Sequence, residues 1–123
     1  MLARRSGFPG AFSVDGLDVM LRVARRDAAV FLVAESNAVP AGIIRAVYDG
    51  SRALIHLLSV DPNHQRCGLG RGLVDAAVAE LRRRGASMCS VTVTEPSAPF
   101  WAQSGFSRLQ VFLMLRTDEP NRA

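Results

Sequence analysis

The chain contains no lysine: all 15 of its basic residues are arginine. That absence removes the nucleotide P-loop, whose Gly-Lys-Ser/Thr step needs a lysine to reach the phosphates. Cysteine is almost as scarce. Cys67 and Cys89 cannot make a disulfide framework, and no Cys/His spacing suggests zinc, so two reduced thiols and no metal are expected. No apolar run approaches the ~20 residues needed to cross a bilayer, so no membrane role is expected. Arg4 and Arg5 precede an apolar stretch, but Gly7, Pro9 and Gly10 break it, which argues against a signal peptide and makes a cytoplasmic location the expectation.

What is present fits one domain over residues 1–123, with a core at 28–116. Apolar residues make up 49% of the chain and aromatics 7%, a composition suited to an α/β protein. The net charge of +4 and pI of about 10.4 favour an anionic partner. The arginines are scattered singly or in short runs, without a basic tail or interleaved aromatics, so nucleic acid is only weakly signalled.

In chain order, Asp15 can cap a helix over 16–27, where Leu17, Met20, Leu21 and Ala24 share a face. Residues 28–36 and 41–48 read as strands joined by a turn at Asn37–Pro40. Asp49-Gly50 signals a hairpin into a third strand over 52–60, completing an antiparallel meander. A helix follows over 69–84, where Leu69, Leu73, Ala77 and Leu81 repeat every four residues. Arg82, Arg83 and Arg84 lie in its last turn and Gly85 closes it; the triplet reads first as a solvated helix end, with a binding patch as the alternative. Residues 88–94 form a fourth strand, parallel to the third because a helix crosses between them. Ser97 can cap a short helix through Ser104, Gly105 stops it, and a last strand is expected over 106–116.

The stretch that organises the chain is 53–84. An apolar strand runs into Asp61-Pro62-Asn63-His64, then Gln65-Arg66-Cys67-Gly68-Leu69-Gly70-Arg71-Gly72, then the helix. The first N–H groups of a helix have no internal partners and sit at the positive end of its dipole, so they suit phosphate. Glycine at 68, 70 and 72 lets an anion approach the backbone. A dinucleotide fingerprint would start directly after the strand, and these glycines begin well after Val60.

Gln65, Gly68 and Gly70, following Val60-Asp61-Pro62, instead match Gln/Arg-x-x-Gly-x-Gly/Ala after a strand ending in Val-x-Pro. In this form the segment resembles the acetyl-CoA loop of the GNAT superfamily of N-acetyltransferases. Phe100-Trp101, three residues, then Gly105-Phe106 is similar to a second motif of that family. The resemblance implies an α/β (α+β) fold: a mixed, mostly antiparallel sheet flanked by helices. It also implies a shortened N-terminus, since members usually carry a strand and two helices before the position of Ala28. The acceptor site would then be open, completed by a second subunit, or dependent on upstream sequence. That shortening and an exposed final strand fit a homodimer.

The resemblance further implies that acetyl-CoA is the co-substrate and lies where the third and fourth strands splay apart. Backbone groups of Leu58 and Val60 would hold the acetyl carbonyl and pantetheine arm. Gln65, Arg66, Cys67, Gly68, Leu69, Gly70 and Arg71 would form the pyrophosphate loop, the Val60 N–H would serve as oxyanion donor, and Trp101 would pack over the cofactor. His56 is the base candidate: it interrupts the apolar strand, shares strict alternation with Leu58 and Val60, and can take a proton near neutral pH. A core histidine bonded to a neighbour is the alternative. Glu35, Tyr48 and Asp49 are alternative bases through water, and His64 is expected to face solvent. Trp101 stands where the family usually has tyrosine, and an indole cannot protonate a thiolate. Solvent or another hydroxyl must then do so. A Cys67–His64 nucleophile pair has no orienting third group.

Two functions follow. One is an acetyl-CoA-dependent N-acetyltransferase acting on an amine. The other is a coenzyme A-binding module of the same fold with little or no turnover.

Overall fold

Period-2 apolar patterning dominates residues 29–60, and there the computed structural model, which describes residues 17–65 and 68–118, forms three antiparallel strands. They are β1 (Ala29–Ser36), β2 (Val39–Tyr48) and β3 (Ala53–Val60). Asn37 and Ala38 join β1 to β2 with φ of 53° and 64°, a tighter turn than Asn37–Pro40. Pro40 consequently lies inside β2, beside a bulge that leaves Ala41 without a counterpart on β1. The β2–β3 loop closes on Asp49, whose Oδ1 accepts the N–H groups of Ser51 (2.8 Å) and Arg52 (2.7 Å).

Helix α1 (Leu17–Ala24) precedes the sheet; its proposed cap, Asp15, lies outside the described residues. Helix α2 (Leu69–Arg83) crosses from β3 to β4 (Cys89–Val91), and α3 (Ala98–Gln103) follows a 3-10 turn at Glu95–Ser97. The strand order is β1-β2-β3-β4, with β3 and β4 parallel as the crossover requires.

Helix α2 packs Leu73, Val74, Ala77 and Leu81 on one face of the sheet, against Val30, Ile44, Ala46 and Ile55. On the other face, Met20 of α1 meets Leu57, Phe31 and Ile43. The arginine triplet is partly structural. Glu80 accepts hydrogen bonds from Arg83 and Arg84, and Arg84 Nη1 also donates to the carbonyls of Asp27 (3.0 Å) and Ala29 (2.9 Å). The end of α2 is thereby tied to the start of β1.

Two expectations need correction. β4 is shorter than 88–94, and residues 106–116 form no strand. Strand propensity becomes a strand only where a ladder partner completes it, and among the described residues this segment has none.

Candidate active site

The site begins with one extra residue. Arg45 pairs with Leu57 and the next residue, Ala46, pairs with Ile55, so His56 is a β-bulge in β3. A bulge shifts alternation by one residue. Ala53 and Ile55 before it, and Leu58 and Val60 after it, therefore all pack into the core under α2. Strict alternation, which grouped His56 with Leu58 and Val60, does not hold through this point. His56 itself is exposed.

The bulge also coincides with the end of the β3–β4 ladder. Pairing covers Ala53–Cys89, Leu54–Ser90 and Ile55–Val91, and stops there. Asp61 N–H donates to the Ala41 carbonyl (2.8 Å), while Ser59 and Leu57 stand opposite Ile43 and Arg45. Alternate residues of an antiparallel ladder bond to one neighbour, and those between turn their N–H and C=O to the other edge. The backbone groups of Leu58 and Val60 thus face the gap that opens between β3 and residues 92–94. That gap is a wedge edged by backbone donors and acceptors.

The loop after β3 closes one end of the wedge. Asp61 Oδ1 accepts from Asn63 N (3.0 Å) and starts the 3-10 turn Pro62–His64. Gln65 Nε2 donates to the Val60 carbonyl (3.2 Å), which ties the loop back to the strand end. Arg66 and Cys67 lie outside the described residues. Gly68 takes φ 84° at the start of α2, a left-handed conformation that glycine adopts at no steric cost. The helix has no side-chain cap, and its first intrahelical bond runs from Gly72 N to Gly68 O (2.9 Å). Among the described residues, the N–H groups of Leu69, Gly70 and Arg71 therefore have no intrahelical acceptor, at the positive end of a 15-residue helix.

Two residues take a part here that sequence reasoning did not give them. A Cβ on Gly42 would come within 3.0 Å of Leu73 Cδ1, 3.2 Å of Leu69 Cδ2 and 3.3 Å of the Ser59 carbonyl. Its missing side chain lets the first turn of α2 sit close on the sheet; a lone glycine inside an apolar strand was the available signal. Phe100 is the other: a Cβ on Gly70 would lie 3.5 Å from its ring and 3.5 Å from Val60 Cγ2. Phe100, Gly70 and Val60 meet where the strand end, helix start and α3 converge. Phe100, rather than Trp101, reaches that point. Trp101 is buried in the core, its ring edge-on to Phe100 and Phe106, each at 5.3 Å.

The remaining candidates are dispersed. Tyr48 pairs with Ala53, at the end of β3 opposite Val60, roughly 20 Å along the strand at ~3.3 Å per residue. Tyr48 Oη donates to the Gly50 carbonyl (3.1 Å). Asp49 lies at that same end, and the N–H groups of Arg52 and then Ser51 hold its carboxyl below the ordinary range. Glu35 is at the Val60 end of the sheet but two strands away, exposed on β1. His64 is half-buried at the end of its 3-10 turn rather than facing solvent. Burial pushes the Cys89 thiol up, against the field of Arg82, so it is a poor nucleophile. Among the described residues no group of His, Cys, Asp or Glu could hold a metal, and no helix is long and apolar enough to cross a membrane.

Comparison with known proteins agrees with this fold. No curated protein matches the sequence closely enough to count as a relative. Among solved structures, an aminoglycoside 6′-N-acetyltransferase from Acinetobacter haemolyticus is 16% identical, with a TM-score of 0.72 over 84% of this chain and 79% of that one. The ribosomal-protein-S18-alanine N-acetyltransferase from Escherichia coli is 20% identical, with a TM-score of 0.71 over 89% and 69%. A further aminoglycoside N-acetyltransferase, solved in complex with CoA, is 15% identical, with a TM-score of 0.72 over 82% and 84%. These likenesses establish the fold. The profile of the acetyltransferase (GNAT) family matches residues 3–106, and the chain belongs to that family.

Proposed function

We propose that this chain is an acetyl-CoA-dependent N-acetyltransferase that acetylates an amine by direct attack. One observation carries the reading: β3 parts from β4 after Ile55–Val91, and the uncapped start of α2 opens beside the freed edge. Such a site fits coenzyme A on two counts. A pantetheine arm carries amides that need backbone partners, and Leu58 and Val60 turn theirs into the wedge. A pyrophosphate needs several N–H donors in a positive field, and Leu69, Gly70 and Arg71 supply them. Arg71, whose only described ion pair is an exposed contact with Asp75 (3.5 Å), adds a positive charge there.

Acetyl-CoA, when bound, supplies an activated thioester carbonyl to the acceptor nitrogen. The Val60 N–H is suited to stabilise negative charge on the carbonyl oxygen as the C–N bond forms and the C–S bond breaks. His56, exposed at the bulge, receives the proton lost by the ammonium and passes it to water. Phe100 walls the wedge on the α3 side. Tyr48 is the only tyrosine in the chain and lies at the far end of β3, so solvent protonates the departing thiolate.

The distance of the chain's one tyrosine from the wedge favours a second reading, a coenzyme A-binding module with little turnover. Release of free thiol from acetyl-CoA, followed with a panel of primary amines, separates the two. Thiol release that depends on both protein and amine supports the transferase. Saturable binding of acetyl-CoA without thiol release for any amine supports the module instead.

A further inference from the structure

Arginines that lie scattered along the sequence are gathered by the fold. Three segments meet at the end of the sheet away from the wedge: the turn between α1 and β1, the β2–β3 hairpin, and the last turn of α2. The Tyr48 N–H donates to the Ala28 carbonyl (2.9 Å), which sets the hairpin beside the turn. Arg84 Nη1 donates to the Asp27 and Ala29 carbonyls, and a Cβ on Gly85 would lie 3.5 Å from Tyr48 Oη, so the helix end adjoins both. Arg25, Arg26, Arg52, Arg82, Arg83 and Arg84 share this one surface, and each is exposed.

The charge there is not matched. Six arginines face three acids, Asp27, Asp49 and Glu80, a net of +3, while the other described residues carry five arginines and six acids, a net of −1. Two of the three acids are already engaged. Glu80 holds Arg83 and Arg84, and Asp49 turns its carboxylate to the N–H groups of Ser51 and Arg52. Among the described residues, no side-chain hydrogen bond or salt bridge occupies the guanidinium groups of Arg25, Arg26, Arg52 and Arg82. Helix dipoles explain basic residues in the last turns of α1 and α2, but Arg52 stands on a hairpin, where no dipole favours it.

We propose that this end of the molecule is a docking surface for the phosphate backbone of a nucleic-acid duplex, held without regard to sequence. Each guanidinium can take a phosphate through two parallel hydrogen bonds. Strands lie ~4.8 Å apart, so groups on the ends of β1, the hairpin and α2 spread over roughly 10–20 Å. One strand of a duplex presents about three to six phosphates over that length. A bilayer is the other polyanion, but attachment to it needs apolar side chains to bury beside the basic ones. At this end Met88 is, among the described residues, the one large apolar side chain more than half exposed. The wedge lies roughly 20 Å away along β3, so a duplex held here leaves it open. The two surfaces are separate, and the basic one does not depend on the proposed reaction.

The test is fluorescence anisotropy of two labelled DNA duplexes of about 20 bp and unrelated sequence, titrated with the protein between about 50 and 200 mM KCl. Four contacts predict a slope of about −3.6 for the logarithm of the binding constant against that of salt, and a Kd on the order of tens of micromolar at the low-salt end, alike for both duplexes. Arg26→Gln/Arg82→Gln removes two contacts at exposed positions. The slope should fall to about −1.8 and the affinity by at least about tenfold. Arg108→Gln/Arg116→Gln removes the same charge outside the patch and should change Kd by less than about threefold. Melting curves of both variants should match the parent, and excess acetyl-CoA should leave the duplex bound. Absence of saturable binding at low salt would overturn the proposal. Equal weakening by the two variants would overturn it as well, since net charge alone would then be at work. So would displacement by acetyl-CoA, which would put the duplex at the start of α2, or capture by phosphatidylserine vesicles in preference to both duplexes.

Discussion

Gly72 gives a test in which folding and binding should respond in opposite directions. It lies in the first turn of α2, exposed, and a Cβ placed on it meets no atom within 4 Å. No acidic residue occupies that turn. Gly72→Glu should therefore stabilise the protein, by roughly 0.5 kcal/mol of helix propensity and about 0.5 kcal/mol from a carboxylate at the positive end of the helix. A total of about 1 kcal/mol raises Tm by roughly 4 °C in a domain of this size. The same charge should repel a bound pyrophosphate. For two phosphate charges about 8 Å away and an effective dielectric of about 40, the repulsion is about 2 kcal/mol. Physiological salt reduces it to about 1 kcal/mol, a roughly fivefold loss of affinity. Gly72→Ala is the control, with a higher Tm and unchanged affinity. Melting curves and calorimetric titration of acetyl-CoA at two salt concentrations read both effects. If Gly72→Glu raises Tm but leaves the affinity unchanged, the anion does not lie at the start of α2 and the reasoning fails.

Three other perturbations address separate parts of the account. His56→Ala should lower the acetyl-transfer rate by about 100-fold while the acetyl-CoA Kd stays within error; an unaltered rate would remove His56 from the mechanism. Gly42→Ala should destabilise by about 1–2 kcal/mol, because the added methyl presses on Leu73 and Leu69, and its Tm in a thermal melt should fall accordingly. No drop in Tm would mean that α2 has room to spare over β2. Glu80 is held at about 2, below its ordinary 4.5, by Arg83 and then Arg84. A depressed carboxyl pKa stabilises above the unfolded value and loses that contribution as pH falls toward the folded one. Denaturant midpoints of Glu80→Gln and the parent should therefore differ near neutral pH and converge near about pH 2; a constant offset would contradict the pairing.

Local chemistry made much of this structure legible. Alternation located β1, β2 and β3, the four-residue repeat located α2, and the crossover dictated a parallel β4. Gln65, Gly68 and Gly70 marked the family because their spacing reports a backbone need, not a packing preference. The bulge was hidden. His56 is polar in an apolar strand, but whether a polar residue interrupts the ladder or faces out depends on the opposing strand, and period-2 reading assumes an unbroken ladder. Trp101 and Phe100 are adjacent, and only the way α3 lies on α2 decides which ring enters the core and which meets Gly70. Residues 109–115 show the opposite limit, a strong strand signal with no partner among the described residues. Propensity is local, whereas pairing is a property of whatever lies alongside.

Amide chemical-shift mapping during a titration with acetyl-CoA tests the central claim most directly. The freed edge of β3 and the start of α2 should respond together: the amides of Leu58, Val60, Leu69, Gly70 and Arg71 shift and saturate with one dissociation constant. Tyr48, Asp49 and Arg52, at the far end of the sheet, should stay still. Saturable shifts confined to that far end, or no saturable shift at all, would contradict the account.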